Sequence, residues 1–256
     1  MKKRHIALDA DYLIFETTED KGSTGNYFEV ETGLNGGSEY QKPLKPYKKI
    51  LKKAIAEVVD EIAANLPGEV SGKVKVIFSD PNGNFRYDIF PNYKNNRKGS
   101  KRSKMFYRLR KWAHRKYGYE DGVEADDVVA YYVREKGWIG ASFDKDLLKG
   151  VPGTWFDVYH LRRFITTTTK KEAAHFNLLQ TLAGDSTDGI KGIPRVGMKT
   201  AENLLRSNGE SWEGVVKSYL DAGLTEEDAI LNRRLIGMDQ WTKKKGLKLW
   251  KPKKDK

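Results

Sequence analysis

The sequence predicts an α/β fold with a smaller helical region at its C-terminal end, and three observations lead there. Four short apolar runs, Ile6 to Leu8, Val74 to Phe78, Trp138 to Ser142 and Trp155 to Tyr159, alternate with stretches of helical periodicity. Each of the first three is followed within two positions by an acidic residue: Asp9, Asp80 and Asp144. Beyond Tyr159 the strand signal fades and helical patterns take over, which divides the chain into an α/β region over residues 1–169 and a helical region over 170–256. In an open parallel sheet, ligands gather outside the carboxyl ends of the strands, so the three acids stand where chemistry is usually placed.

Each element has its own local reason. After the first apolar run, the segment 20–42 carries Gly22, Gly25, Gly33, Gly36 and Gly37 and reads as a hairpin or mobile loop. A helix follows from Tyr47 to Asn65, where Ile50, Leu51, Ala54, Ile55, Val58, Val59 and Ile62 keep a 3.6-residue period until Pro67-Gly68 breaks it. The C-terminal region reads as four helices over 170–183, 197–206, 211–220 and 225–237, the last opened by Thr225-Glu226-Glu227-Asp228. From Lys243 onward eight lysines read as a flexible basic tail.

Composition narrows the function. Among 256 residues, 47 Lys and Arg against 35 Asp and Glu give a net charge of +12, which favours a polyanionic partner, nucleic acid before a membrane surface. There is no cysteine, which excludes disulfides, thiol catalysis and thiolate zinc sites; four histidines are the only imidazole ligands. The longest apolar run, Val128 to Val133, is far short of a membrane span, and Met1-Lys2-Lys3-Arg4 leads into a segment containing Asp9 and Asp11 rather than a signal-peptide core. The expectation is a soluble, cytoplasmic protein.

Within this basic chain the acids are clustered: Asp9, Asp11, Asp80, Glu124-Ala125-Asp126-Asp127, Asp144-Lys145-Asp146 and Asp185-Ser186-Thr187-Asp188. Converging carboxylates raise one another's pKa and need a cation, and an all-oxygen donor set suits Mg²⁺ or Mn²⁺. Two such ions about 4 Å apart are a standard device for phosphodiester hydrolysis. The plainer alternative makes each acid a helix cap, since Asp126 and Asp127 suit a first helical turn and Asp144 suits a cap; the ordered set argues against it. From Pro91 to Tyr117 eleven basic residues stand with no acid, interleaved with Tyr93, Phe106, Tyr107 and Trp112. That pattern reads as phosphate binding with base stacking rather than as a sign-mixed solvated helix face. Finally, Gly192-Ile193-Pro194-Arg195-Val196-Gly197 opens a helix, letting backbone amides approach a phosphate at a helix N-terminus. No strand precedes it and Lys199 is misplaced for a P-loop, so an ATPase is not indicated.

Five strings carry a resemblance: Leu8-Asp9-Ala10-Asp11-Tyr12-Leu13-Ile14-Phe15, Pro91-Asn92-Tyr93-Lys94-Asn95-Asn96-Arg97-Lys98, Val123-Glu124-Ala125-Asp126-Asp127-Val128, Asp144-Lys145-Asp146 and Gly184-Asp185-Ser186-Thr187-Asp188-Gly189. In this order, over nearly the whole chain, they resemble the 5′ nucleases of the flap-endonuclease superfamily, most closely the 5′ to 3′ exonucleases of bacteriophages. The resemblance implies a PIN-like α/β nuclease core, a helical arch over the active site formed by residues 91–117, and a C-terminal helix-three-turn-helix that grips duplex DNA. It further implies two Mg²⁺ or Mn²⁺ ions, one near Asp9, Asp80, Glu124 and Asp126, the other near Asp144, Asp146, Asp185 and Asp188, with Asp127 close by. Lys94 and Arg97, on one face if the arch is helical there, look like the basic pair that engages the scissile phosphate. Phe15 takes the place of a ring that stacks on the terminal base, although a Phe after Leu13 and Ile14 also suits a core. Tyr93, Lys98, Gly192, Arg195, Gly197 and Lys199 would touch DNA, and the glycine-rich turn would hold K⁺ through carbonyls. Asp11 departs from the small polar residue more common at its place. The implied protein is a monomer that hydrolyses duplex DNA, and RNA-DNA hybrid, near a 5′ end or flap without a general-base side chain. A PIN-type single-strand ribonuclease would explain the acids but not the duplex-gripping turn; a non-catalytic DNA-binding module would bind without cleaving.

Overall fold

The computed structural model describes residues 4–19, 43–66, 72–97, 99, 102–158 and 165–253. The glycine-rich segment 20–42, Lys98 and Tyr159 lie outside the described residues. The chain runs β1 (Ile6–Asp9), α1 (Asp11–Glu19), α2 (Leu44–Asn65), β2 (Val74–Ile77), α3 (Phe85–Ile89), a 3-10 turn (Asn95–Arg97), α4 (Lys104–Tyr117) and α5 (Ala125–Lys136). It continues through β3 (Ile139–Ser142), α6 (Lys145–Gly150), β4 (Gly153–Asp157), β5 (Ile165–Thr168) and α7 (Lys170–Ala183). A short ribbon, β6 (Gly184–Asp185) with β7 (Ile190–Lys191), precedes α8 (Met198–Asn208), α9 (Trp212–Asp221), α10 (Glu226–Ile236) and a hairpin of β8 (Trp241–Thr242) with β9 (Gly246–Leu247).

The main sheet has the order β2-β1-β3-β4-β5, parallel except for β5. The four foreseen apolar runs are its four parallel strands. Ile6, Ala7 and Leu8 are all fully buried, as expected of a strand covered on both faces. One face carries α1, α2 and α4 over a cluster containing Ile6, Leu8, Ile14, Leu51, Ile62, Phe78 and Leu109. The other carries α5 and α6 over Ala7, Ile77, Val129, Val133, Leu147 and Trp155. Gly140 admits the Trp155 ring so closely that an added Cβ would sit 2.2 Å from it, so the sheet needs glycine there. Because β1 lies between β2 and β3, the chain reverses its lateral direction at β1, and the crevice at the carboxyl ends of β1 and β3 is the natural ligand site.

Within the basic stretch, α4 buries Met105, Leu109 and Ala113 in the main core and packs on α1 and α2. Its apolar stripe at i, i+4 and i+8 makes it part of the body. Two features differ from expectation. The lysine-rich end is not a loose tail over its described part. Trp241 is buried beside Tyr131, Trp250 packs on Trp212 at 4.6 Å, and Trp250 N–H donates to Gln240. Finally, β5, the strand Ile-Thr-Thr-Thr, was not foreseen, because its apolar content is a single residue.

In the C-terminal region α7 to α10 share a cluster of Leu179, Leu182, Ile193, Ala201, Leu205, Val215, Tyr219 and Ala229. Capping boxes start α7 at Thr169 and Glu172 and α10 at Thr225 and Asp228. Among the described residues no helix is long and apolar enough to cross a membrane.

Candidate active site

Asp9 closes β1 and is buried; Ser142, closing the neighbouring β3, donates to its Oδ2 at 3.2 Å. Burial, then the charges of Asp11 and Asp144, raise the Asp9 carboxyl to about 7. Asp11, whose purpose the sequence left open, begins α1 and accepts the Ser79 backbone N–H at 3.2 Å, tying the ends of β1 and β2 together. Asp80 accepts N–H bonds from Asn82 at 2.8 Å and Gly122 at 2.7 Å. It braces two turns and is not among the charges that weigh most on Asp9 or Asp126.

The second contribution comes from the start of α5, where Glu124 is the N-cap. Burial, then the charges of Asp9, Asp144 and Glu124, push the Asp126 carboxyl well up. Asp127 turns elsewhere, because successive helical residues point about 100° apart. It is fully buried and takes a two-pronged bond from Arg86, at 2.7 Å and 2.9 Å, so the expectation of Asp127 beside the ions is corrected to a structural ion pair. Arg86 had no signal in the sequence beyond its charge. It is itself fully buried and also donates to the Leu235 and Gly237 carbonyls, joining the start of α5 to the end of α10.

The third contribution is Asp144, cap of α6, whose pKa burial raises, with Asp188 adding to the shift. Asp146, raised to about 6 by burial and Asp144, accepts Lys145 Nζ at 2.7 Å and the buried Gln180 amide at 2.6 Å. Lys145 also reaches Asp185 at 2.9 Å; burial would raise Asp185, but this ammonium outweighs it and holds the carboxyl low.

The basic pair meets the acids through a turn and not along one helical face. The loop Asp185 to Asp188 docks on residues 94–97: Lys94 N–H donates to the Asp188 carbonyl at 2.8 Å, and Asn96 to those of Ser186 and Thr187. This holds Lys94 at φ 52 ahead of the 3-10 turn. Its ammonium bonds Glu124 at 2.6 Å, and Arg97 bonds Asp188 at 2.6 Å. Burial pushes Glu124 up, yet Lys94 and Arg86 outweigh it and hold it low. Tyr93, read as a DNA-facing ring, is buried instead, its hydroxyl 2.9 Å from Glu124 and 3.0 Å from Asp188. Phe15 by contrast is 40% exposed, with Arg102 over its ring at 4.7 Å, while Leu13 and Ile14 enter the core.

In the glycine-rich turn Arg195, Gly197 and Lys199 are exposed. Gly197 starts α8 with no side-chain cap, so the first-turn N–H groups face outward without one. Gly192 is pressed against α7: an added Cβ would lie 2.3 Å from the Leu182 carbonyl oxygen.

Among the described residues no three acidic or histidine side chains form a closed cage for an ion as they stand. What the site offers is an all-carboxylate donor set at strand ends. Burial raises Asp9, Asp126 and Asp144, the charge of Asp144 adds to the shift of the other two, and none of the three forms an ion pair among the described residues. The chemistry of this donor set, carboxylate oxygen throughout, suits a divalent cation of the Mg²⁺ or Mn²⁺ kind.

The chain matches no protein-family model. It is 30% identical over 154 residues to a 5′-3′ exonuclease of Buchnera aphidicola, 53% of each chain. It is 34% identical over 169 residues to an exodeoxyribonuclease of Enterobacteria phage T3, 61% of this chain and 55% of that one. It thus spans about half the length of these curated relatives. Its fold is that of a bacteriophage T5 flap endonuclease solved with DNA and metal ions, with a TM-score of 0.62 at 19% identity over 93% of this chain and 89% of that one.

Proposed function

We propose that this chain, which resembles 5′-3′ exonucleases and flap endonucleases in sequence and shares the fold of one, is itself a divalent-metal-dependent 5′ to 3′ exonuclease with flap endonuclease activity. Its substrate would be duplex DNA with a 5′ end or flap, bound by a cytoplasmic monomer. The observation that carries this reading is the trio of Asp9 and Asp144, beyond the carboxyl ends of β1 and β3, and Asp126, at the start of α5, which form no ion pair among the described residues and are faced by two cations on a docked turn.

Asp9, Glu124, Asp126 and Asp144 would hold one Mg²⁺ or Mn²⁺ ion and Asp146, Asp185 and Asp188 another, with Asp80 outside them. Bound there, such ions would neutralise phosphate charge and acidify water. The chain's own residues supply the rest. Lys94 and Arg97, paired with Glu124 and Asp188 in the absence of substrate, exchange these partners for the scissile phosphate, placing two positive charges where negative charge develops. Phe15 offers its exposed ring to the terminal base. Arg195, Lys199 and the free amides of α8 follow the phosphates of one duplex strand, and carbonyls of the Gly192 to Gly197 turn would take a K⁺ ion.

The test is cleavage of 5′-labelled and 3′-labelled nicked duplex, flap, RNA-DNA hybrid and single-stranded RNA with Mg²⁺. Short 5′ products from the duplex DNA and flap arms are expected. Cleavage of single-stranded RNA alone would establish the ribonuclease reading, and binding without cleavage the DNA-binding module.

A further inference from the structure

The candidate site carries its own cations, and they are shared out unevenly. Asp9, Asp126 and Asp144 have none bonded to them among the described residues, while Lys145 Nζ sits 2.7 Å from Asp146 Oδ1 and 2.9 Å from Asp185 Oδ2. These two acids come from segments about forty positions apart, one opening α6 and the other ending the β6 strand. No other cationic side chain contacts either of them among the described residues; Gln180 adds a neutral amide to Asp146, and Asp185 Oδ1 accepts the Thr187 N–H. Lys145 is the first residue of α6, directly after the Asp144 cap, an end at which the helix dipole disfavours a cation. Its place is therefore owed to the carboxylates. Its side chain is 57% exposed, so the ammonium can leave for solvent without disturbing packed atoms.

We propose that Lys145 is a resident counter-cation that holds Asp146 and Asp185 together and competes with a divalent ion for them. The Asp9, Asp126 and Asp144 carboxylates accept an ion without breaking an ion pair, whereas Asp146 and Asp185 accept one only on release from Lys145. Ion uptake is then ordered, and Lys145 sets the affinity of the second step. The inference rests on the two-ion reading above and concerns a residue that reading does not use.

The experiment is calorimetric titration of Mn²⁺ into DNA-free protein for wild type, Lys145→Met and Lys145→Arg, with circular dichroism to confirm folding and Asp146→Asn to identify the weaker class. The wild type should show one tighter and one weaker equivalent. Lys145→Met should tighten the weaker one by about ten-fold, the scale of a charge-assisted hydrogen bond, and leave the tighter one in place. Lys145→Arg, which keeps the charge, should match the wild type. An unchanged or missing weaker class in Lys145→Met, or an arginine variant that behaves like the methionine one, overturns the inference. A wild type that binds fewer than two equivalents overturns the two-ion reading itself, and this inference with it.

Discussion

Asp126 and Asp127 are adjacent in the chain and opposite in role. Asp126 faces the acids of β1 and β3; Asp127 faces Arg86 inside the protein. Their substitutions should separate accordingly. Asp126→Asn removes one of three mutually repelling carboxylates, so the metal-free protein should unfold at the same or a higher urea concentration while cleavage is lost. Asp127→Asn leaves a fully buried guanidinium short of its partner and should cost about 3–5 kcal/mol in the same urea titration, the scale of breaking a buried ion pair. The sequence placed both residues in one group because its signal was the string itself. The residue that divides them, Arg86, lies about forty positions earlier in an unremarkable stretch and contacts Asp127 only in the folded chain. Tyr93 is the same lesson with an aromatic ring: within a basic run it reads as a stacking platform, but its hydroxyl bonds Glu124 and its ring enters the core.

Among the elements, the glycine-rich turn contains two glycines with different reasons to be glycine. Gly197 has an ordinary backbone, φ −97, and an added Cβ would meet nothing within 4 Å, so a bulkier residue there brings neither backbone strain nor a clash. Gly197→Val should therefore fold like the wild type by circular dichroism and thermal melting, yet bind nicked duplex more weakly than before, with a smaller loss for a short single strand. Equal losses on both substrates, or none, would remove the turn from the proposed duplex contact. Gly192→Val by comparison should fail in the melting experiment, because its Cβ would collide with α7 backbone. The docked turn at residues 94–97 is testable in the same way. Lys94→Ala and Arg97→Ala should lower the single-turnover rate much more than they weaken binding, since both charges are proposed to act where charge develops; loss of affinity at an unchanged rate would contradict that role.

Across the whole molecule, what the sequence made legible was the apolar skeleton. The parallel strands and C-terminal helices stand within a few residues of where the apolar pattern put them, because the strands are short apolar runs covered on both faces and the helices bury one dominant face. What stayed hidden was held by long-range partners. The end of the chain looked like a solvated lysine tail because eight lysines outweigh two tryptophans in composition, yet Trp241 and Trp250 anchor it to α5 and α9. Trp241→Ala should lower stability by about 3–5 kcal/mol in denaturant unfolding, the cost of emptying a buried aromatic site. Because Arg86 and this hairpin both fasten the C-terminal elements to α5, the proposed duplex contact and the acidic site belong to one connected frame.

The central proposal is that the carboxylates at the ends of β1 and β3 and at the start of α5 make this chain a metal-dependent nuclease acting from the 5′ end. Its most direct measurement is single-turnover cleavage of a 5′-labelled nicked duplex by protein stripped with EDTA and then given Mg²⁺, alongside Asp144→Asn treated identically. The account predicts no product before Mg²⁺, short 5′-labelled products after it, and none at any stage from Asp144→Asn although that variant still binds the duplex. Cleavage that proceeds in EDTA, or that survives in Asp144→Asn at the wild-type rate, would contradict it.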